Sequence, residues 1–267
     1  MKCLLSTNAK DEHNIFEWIE YHLLLGFDYI LVWDDLSQIP IEYVDTRVRI
    51  IRHHAKKIDY MTDSVAFAKR NGYDWILHLD VDEYLYLGVN RHLKEFMRTY
   101  LHHNIMVVYF PWTIFGSNYL NVLSPRGSCL EPFTRCNTRT HNYIKTFARV
   151  QTITDVKNAH EFKYSQPQTT ENTVYAPDKT VHQFSAVQAR HVQPITLNRC
   201  FIAHFRFQSW DLFRERKGRA RDDTLKPYKF QFALGDEPSR TFHANSNQMM
   251  FPYVWQNYVQ WKKKTTK

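Results

Sequence analysis

The amino-acid sequence predicts an α/β fold in which a central, mainly parallel sheet is flanked by helices. Short apolar segments alternate with segments of helical periodicity over residues 4–110, and acidic residues follow directly after several of the apolar segments. The 267 residues are 43% hydrophobic and contain no low-complexity tract. Such a chain is long and apolar enough to bury one large core.

The first half of the chain supplies most of the predicted elements. The strands are expected at residues 4–6, 29–33, 48–51, 75–79 and 105–110, and the helices at 14–25, 62–71 and 91–102. The helix over 14–25 repeats apolar side chains every three or four residues from Ile15 to Leu23, and Gly26 follows at the expected C-terminus. Alternation of this kind is typical of a parallel sheet with crossover helices.

The second half is less regular. Residues 111–179 are rich in Asn, Thr, Ser and Pro, and we expect loops and irregular strands that cover the sheet edge. A further strand is predicted over 201–207 and a basic helix over 209–221. No linker or internal repeat divides the chain.

The charge balance is basic but does not choose a partner. The chain has 35 Lys and Arg against 27 Asp and Glu, a formal charge of +8, which suits nucleic acid, an anionic membrane or phosphate-bearing small molecules. No apolar run approaches the roughly 18–20 residues of a membrane span. Four cysteines without a CxxC pair favour a reducing compartment. We therefore expect a soluble, cytoplasmic protein without an integral membrane segment, whose oligomeric state stays open.

Glycine usage excludes two classes of nucleotide-binding protein. The seven glycines form neither GxGxxG nor GxxxxGK[ST]. Dinucleotide oxidoreductases and P-loop NTPases need such glycines where the backbone approaches phosphate. A nucleotide bound to this chain would therefore have its phosphates held by a metal ion and side chains.

Acidic residues converge on one edge of the predicted sheet. Asp11-Glu12, Asp34-Asp35 and Asp80-Val81-Asp82 each follow a predicted strand, and ligands of open α/β sheets collect at the carboxyl ends of the strands. Asp80 and Asp82 are two residues apart and can present carboxylates to one side, about 6–7 Å apart. Hard oxygen ligands suit Mg²⁺ or Mn²⁺. The alternative is a pair of solvated acids that end a strand.

Five ordered motifs carry a resemblance to a known family. They are Lys10-Asp11-Glu12 with Glu17-Trp18, Tyr21-His22 and Gly26; Trp33-Asp34-Asp35-Leu36-Ser37; the segment WILHLDVDEY at 75–84; Trp112-Thr113-Ile114-Phe115-Gly116-Ser117; and His204-Phe205 with Ser209-Trp210 and Arg216-Lys217-Gly218-Arg219-Ala220. Together they resemble GT-A-fold glycosyltransferases of the family 2 and family 92 kind, including compact members from large DNA viruses. The chain departs from that pattern at Asp11, Phe205 and Gln208, where Asn, Tyr and Lys are usual.

The resemblance implies one GT-A domain over 1–267. Residues 1–110 would form the nucleotide-binding half, 111–230 the acceptor and metal-completing half, and 231–267 a C-terminal extension. The implied cofactor is Mn²⁺ or Mg²⁺, and its implied protein ligands are Asp80, Asp82 and His204.

The implied partners are a nucleotide-sugar donor, with UDP favoured, and a glycan acceptor. Asp34 would bind the nucleobase, Asp11 or Glu12 the ribose side, and Asp80 the ribose or a metal-bound water. Lys145 is a candidate to hold the diphosphate, as are Arg216, Lys217 and Arg219 of the basic helix. For the three residues of that helix a solvated helix face is the competing interpretation.

An inverting transfer also needs a carboxylate that accepts the proton of the acceptor hydroxyl. Glu131 is the candidate base, because 127–133 resembles the segment before the acceptor-side helix of related enzymes. Asp155 and Asp211 are its rivals.

Two other functions fit parts of the sequence. A sugar-phosphate nucleotidyltransferase also uses acids and a metal on an α/β edge, but typically has a Gly-rich phosphate loop that this chain lacks. A basic nucleic-acid-binding module would depend on the +8 charge and the basic segment 214–221. The dispersed basic residues and the acidic edge speak against nucleic acid as a partner.

Overall fold

The structure is a computed structural model that describes residues 1–89, 91–101, 104–122, 127–141, 143–169, 171–175, 200–218, 243 and 246–265. The strands are β1 (Cys3–Ala9), β2 (Tyr29–Asp34), β3 (Val48–Arg52), β4 (Trp75–His78), β5 (Glu83–Tyr86), β6 (Val107–Ile114), β7 (Arg135–Cys136), β8 (Ile144–Arg149), β9 (Ile153–Asn158), β10 (Glu161–Tyr164), β11 (Thr173–Tyr175), β12 (Phe201–His204) and β13 (Met249–Met250). The α-helices are α1 (Ile15–Leu25), α2 (Lys57–Arg70), α3 (Leu93–Tyr100), α4 (Trp210–Gly218) and α5 (Tyr253–Thr265).

Within the described ranges, nine strands form one large sheet in the order β3-β2-β1-β4-β8-β6-β12-β5, with β11 beside the start of β6. Strands β1 to β4 run parallel to their neighbours in this group, and β12 runs parallel to β6. Among the described strands of this sheet, only β8 and β5 are antiparallel to the strands beside them. The predicted mainly parallel α/β fold is confirmed.

The sheet is covered on both faces, which explains why nearly every residue of its central strands is buried. Successive residues of a strand point to opposite faces, and Leu4 and Leu5 accordingly belong to two different core clusters. Helices α1, α3 and α5 contribute to the larger cluster. Helix α2 and the β9–β10 hairpin contribute to the smaller one.

The least accurate prediction concerns residues 111–179. Strand β8 lies in the middle of the sheet, between β4 and β6, and the expectation that this whole region covers the sheet edge is wrong. Lys145 and Thr146 interrupt the apolar pattern of β8, although both are buried. Because these two residues are polar, the sequence pattern did not predict a central strand here.

One helix boundary and one whole helix also differ from the prediction. Helix α2 begins at Lys57, five residues before the expected start, and the Asp59 carboxylate accepts a hydrogen bond from the Lys56 backbone N–H at 3.3 Å. An acidic side chain in the first turn satisfies a backbone donor that the helix leaves open.

Helix α5 was not predicted. It packs on α1 through the buried Trp261, and Glu20 accepts hydrogen bonds from Tyr258 and Lys262. In the part of the chain that the structure describes, no helix has the length and apolarity to cross a membrane.

His22 joins α1 to the sheet inside the core. Its Nδ1–H donates to the Trp18 carbonyl at 2.8 Å, and its Nε2 accepts the Leu85 N–H at 3.3 Å. These partners fix the neutral tautomer, since a proton on Nε2 would face another donor. Burial lowers the pKa of His22 to about 3.

This geometry predicts how His22 makes stability depend on pH. The unfolded chain binds a proton at His22 below about pH 6.5, whereas the folded chain does so only near pH 3. The contribution of neutral His22 to the free energy of unfolding is therefore complete above pH 6.5, and it is lost as the pH falls toward 3. His22→Gln should reduce the slope of unfolding free energy against pH in this window by up to about 1.4 kcal/mol per unit. Urea unfolding at a series of pH values measures the slope, and the exposed His53→Gln is the control. Equal slopes in wild type and His22→Gln would contradict the assignment.

Candidate active site

The acidic edge of the sheet lies where parallel strands end. Asp80 and Asp82 lie in the turn between β4 and β5, and Asp34 ends β2 in the same group of parallel strands. Strand β8 runs antiparallel to β4. Its N-terminal residues, including Lys145, therefore lie at the same edge as the C-terminal residues of β4. Helix α2 starts shortly after β3 and brings Lys57 to this edge.

The Asp80 carboxylate is paired with two lysines. Lys57 Nζ contacts Oδ1, and Lys145 Nζ lies 3.3 Å from Oδ2. Burial raises the pKa of Asp80, but the Lys145 and Lys57 ammonium groups outweigh it and hold that pKa well below its usual range. The carboxylate is therefore ionised. Its side chain keeps 31% of its surface exposed, whereas that of Lys145 keeps 1%.

Glu83 anchors Lys145 beneath Asp80. Its Oε2 accepts from Lys145 Nζ at 2.9 Å and from the Asp80 backbone N–H at 2.8 Å. The Glu83 side chain is fully buried, and among the described residues its Oε1 has no hydrogen-bond partner. Burial raises the pKa of Glu83, an effect that Lys145 opposes. Glu83 thus fixes both the Asp80 turn and the buried ammonium.

Asp82 forms a second ion-pair group. Its Oδ2 lies 2.6 Å from Arg216 Nη2 and 3.3 Å from His204 Nε2. Burial raises the pKa of Asp82, but Arg216 and His204 hold it below the usual value. The Trp112 ring contacts His204 edge to face with centroids 4.4 Å apart. Arg216 is also attracted to Glu12, so α4, β12 and the loop after β1 converge on Asp82.

Ion pairs join the central acidic and basic side chains of this cluster. Three carboxylates, Asp80, Asp82 and Glu83, are paired with three cations, Lys57, Lys145 and Arg216. Buried charges persist only when they are paired and hydrogen bonded. The arrangement can hold ionised carboxylates at a partly open surface and offers three cations to an anionic ligand.

Helix α1 holds the segment that carries these acids. Asn14, Trp18 and Tyr21 donate from their side chains to the backbone carbonyls of residues 81, 83 and 85, at 2.8, 2.8 and 2.9 Å. The motif residues Trp18, Tyr21 and His22 are thus the supports of the Asp80–Glu83 turn. These three side chains are buried, and they hold the backbone of the turn in place.

Asp34 and Asp11 organise the loop after β2. Asp34 accepts from the Ser37 N–H at 2.8 Å and from Arg52 Nη1 at 2.7 Å. Burial raises the pKa of Asp34, but Ser37 and Arg52 outweigh burial and lower it. Asp11 has a φ of 52° and accepts from the Gln38 N–H at 2.6 Å. Both carboxylates thus already have protein partners. The expected contacts of Asp34 with a nucleobase and of Asp11 with a ribose stay predictions.

The candidate base lies on a loop that Glu17 organises. Two groups of that loop donate to the Glu17 carboxylate, Ser128 Oγ at 2.6 Å and the Cys129 N–H at 2.8 Å. Glu131 follows and is exposed, with its N–H bonded to Ser128 Oγ at 3.1 Å. Glu17 therefore sets the position of the Glu131 backbone, a role that the sequence did not reveal.

The structure gives Asp155 and Asp211, the rival candidate bases, other partners within the protein. Asp155 pairs with Lys163 at 2.7 Å on the exposed β9–β10 hairpin. Asp211 accepts from Ser209 Oγ and from the Leu212 N–H at the start of α4. Lys217 belongs to α4, but its side chain lies outside the described residues, as does Arg219.

Sequence reasoning missed Lys57. The signal that could have revealed it is topological, because a helix that follows a parallel strand starts at the carboxyl edge of the sheet. Its first side chains are then neighbours of the acids there. The sequence predicts the start of α2 at residue 62, whereas the helix begins at Lys57, and this difference concealed the relation.

The residues present fit a divalent cation in part. Asp80 and Asp82 are ionised oxygen donors two residues apart, as Mg²⁺ and Mn²⁺ prefer. Across the described residues, however, no three His, Cys, Asp or Glu side chains are grouped to hold a metal ion. His204 as a third ligand therefore stays a prediction. The remaining positions of a cation on Asp80 and Asp82 would fall to water or ligand oxygens.

Comparison with known proteins gives no family. No protein-family model and no curated protein sequence matches the chain. S. aureus TarS 1–349 in complex with UDP is 14% identical with a TM-score of 0.32, over 46% of this chain and 38% of that chain. Mannose-1-phosphate geranyltransferase from Thermus thermophilus is 14% identical with a TM-score of 0.30, over 56% and 50%. This chain spans half or less of each structure, and likeness this weak carries no functional argument.

The ion pairs predict an asymmetry in stability between two lysines. Lys145→Ala leaves the buried Glu83 carboxylate without a counter-charge, which should lower the free energy of unfolding by about 3–5 kcal/mol. Lys163→Ala, which breaks the exposed pair with Asp155, should leave it unchanged. Urea unfolding compares the two variants. If both lysines behaved alike, Lys145 would not be the buried counter-ion described here.

Proposed function

We propose that this protein is a metal-dependent glycosyltransferase that moves a sugar from a nucleotide sugar, UDP-linked, to a glycan hydroxyl with inversion. The observation that carries the proposal is the ionised pair Asp80 and Asp82 at the carboxyl edge of the sheet, surrounded by Lys57, Lys145 and Arg216. The five ordered motifs of the sequence support it. Each of them contributes a residue to this edge or to its supports.

The donor diphosphate would be held from two sides. Asp80 and Asp82 would hold Mn²⁺ or Mg²⁺, with His204 as a third ligand. A cation bound there supplies Lewis-acid stabilisation of the leaving diphosphate. Lys145 would act as a fixed cation, because Glu83 holds its ammonium group in place. Arg216 neutralises Asp82 and closes the cluster toward α4.

The transfer itself is a displacement at the anomeric carbon. The acceptor hydroxyl oxygen forms a bond to that carbon while the bond to the diphosphate oxygen breaks, and the electron pair leaves with the nucleoside diphosphate. Glu131 would accept the hydroxyl proton. Its exposure on a loop anchored by Glu17 suits a group that meets an incoming acceptor.

Nucleotide binding should require both metal and Asp82. In isothermal titration of wild type, UDP should bind at least tenfold more tightly with Mn²⁺ than without it, and Asp82→Asn should remove that gain. Asp63→Asn, an exposed acid on α2, is the matched control, and circular dichroism verifies folding. UDP binding that is absent, or that ignores both Mn²⁺ and Asp82→Asn, would sink the proposal.

Removal of the candidate base should affect turnover and leave donor binding intact. Glu131→Gln should lower kcat by roughly 10²- to 10⁴-fold with a UDP-sugar and a glycan acceptor, because the proton of the acceptor hydroxyl loses its destination. UDP affinity in the presence of Mn²⁺ should not change. A kcat within a factor of three of wild type would remove Glu131 from this role.

A further inference from the structure

Lys57 and Lys145 pair with the same carboxylate but are held very differently. Lys145 lies between Asp80 and the buried Glu83, and its side chain is 1% exposed. Lys57 reaches Asp80 from the first residue of α2 and is 12% exposed. Among the described residues, Asp80 is the one carboxylate with which Lys57 forms an ion pair. Lys145 is thus fixed by two acids, whereas Lys57 is bound through one.

The position of Lys57 in the first turn of α2 favours an anion beside it. The N-terminus of a helix carries a partial positive charge, which disfavours a cation in the first turn and favours anions such as phosphate. The Asp80 carboxylate supplies the anion in the structure described here. A diphosphate at the same edge would satisfy both the helix terminus and the ammonium group.

The pairing also limits the binding of a metal ion alone. Both oxygens of Asp80 already have a cation, Oδ1 from Lys57 and Oδ2 from Lys145. A divalent cation that entered by itself would add two positive charges beside a carboxylate that already has a cation on each oxygen. A cation that enters together with an anionic diphosphate adds little net charge and gives Lys57 a new partner.

We propose that Lys57 is an exchangeable counter-ion of Asp80, which it neutralises in the empty site and releases when a divalent cation and a nucleoside diphosphate bind together. This inference depends on the proposed function and adds a coupling mechanism to it. Metal and nucleotide then bind cooperatively, because the ammonium group leaves the carboxylate only when phosphate replaces it. Lysine suits the exchange, since its compact charge sits on a flexible chain.

The test is the affinity of Mn²⁺, measured by isothermal titration in the absence and presence of saturating UDP. For wild type, UDP should tighten Mn²⁺ binding at least tenfold. Lys57→Gln should bind Mn²⁺ alone roughly tenfold more tightly than wild type, and the gain from UDP should shrink by a similar factor. Lys56→Gln, an exposed neighbour, is the matched control and should behave like wild type. Thermal unfolding of each variant verifies that the site is folded.

The possible failures are distinguishable. If wild type shows the Mn²⁺–UDP coupling and Lys57→Gln shows it undiminished, the exchange is refuted while the proposed function stands. If Lys57→Gln binds Mn²⁺ alone more weakly than wild type, Lys57 supports the metal site and the inference is also wrong. If wild type binds neither Mn²⁺ nor UDP in any combination, the inference falls together with the proposed function.

Discussion

The buried ammonium group of Lys145, held between Glu83 and Asp80, is the interaction on which the candidate site depends. Its side chain is 1% exposed and that of Glu83 is fully buried. Two such groups persist in a core because each compensates the other, and because Glu83 also accepts the Asp80 backbone N–H. The pair fixes the first residues of β8 against the turn after β4. That turn carries the acids, so the same contact contributes to the geometry of the edge.

Other contacts reinforce the same turn from the opposite side. Helix α1 bonds to three carbonyl groups in and just after the turn, and the Phe205 N–H donates to the Asp82 carbonyl at 2.8 Å. The turn is therefore held by β8, α1 and the end of β12 together. Trp18 and Tyr21 support the backbone, whereas Asp80 and Asp82 carry the charge, and both groups are needed for one surface.

Much of the fold was predictable from the sequence. Strands β1, β2 and β4 are apolar segments followed by acidic residues, and the periodicity of α1 with Gly26 after it predicts that helix closely. Strand β8 was not predictable in this way, because its ion-paired Lys145 makes a central strand resemble an exposed one. Helix α5 carries no acid in its first turn and its three lysines cluster at its end. Its apolar face is recognisable only once α1 is seen to cover it.

By itself the sequence determined that carboxylates gather at one edge of an α/β sheet. The period of strands and the positions of their ends follow from local patterns, and those patterns place Asp11, Asp34, Asp80 and Asp82 together. Only the tertiary structure decided which charges those acids meet. Lys57, Lys145 and Arg216 arrive from α2, β8 and α4, which are far apart along the chain. Ion pairs of that kind depend on distance in space and on burial, and neither is written in local spacing. The result is that Asp80 and Asp82 stand among three cations, Lys57, Lys145 and Arg216, which three distant segments of the chain supply.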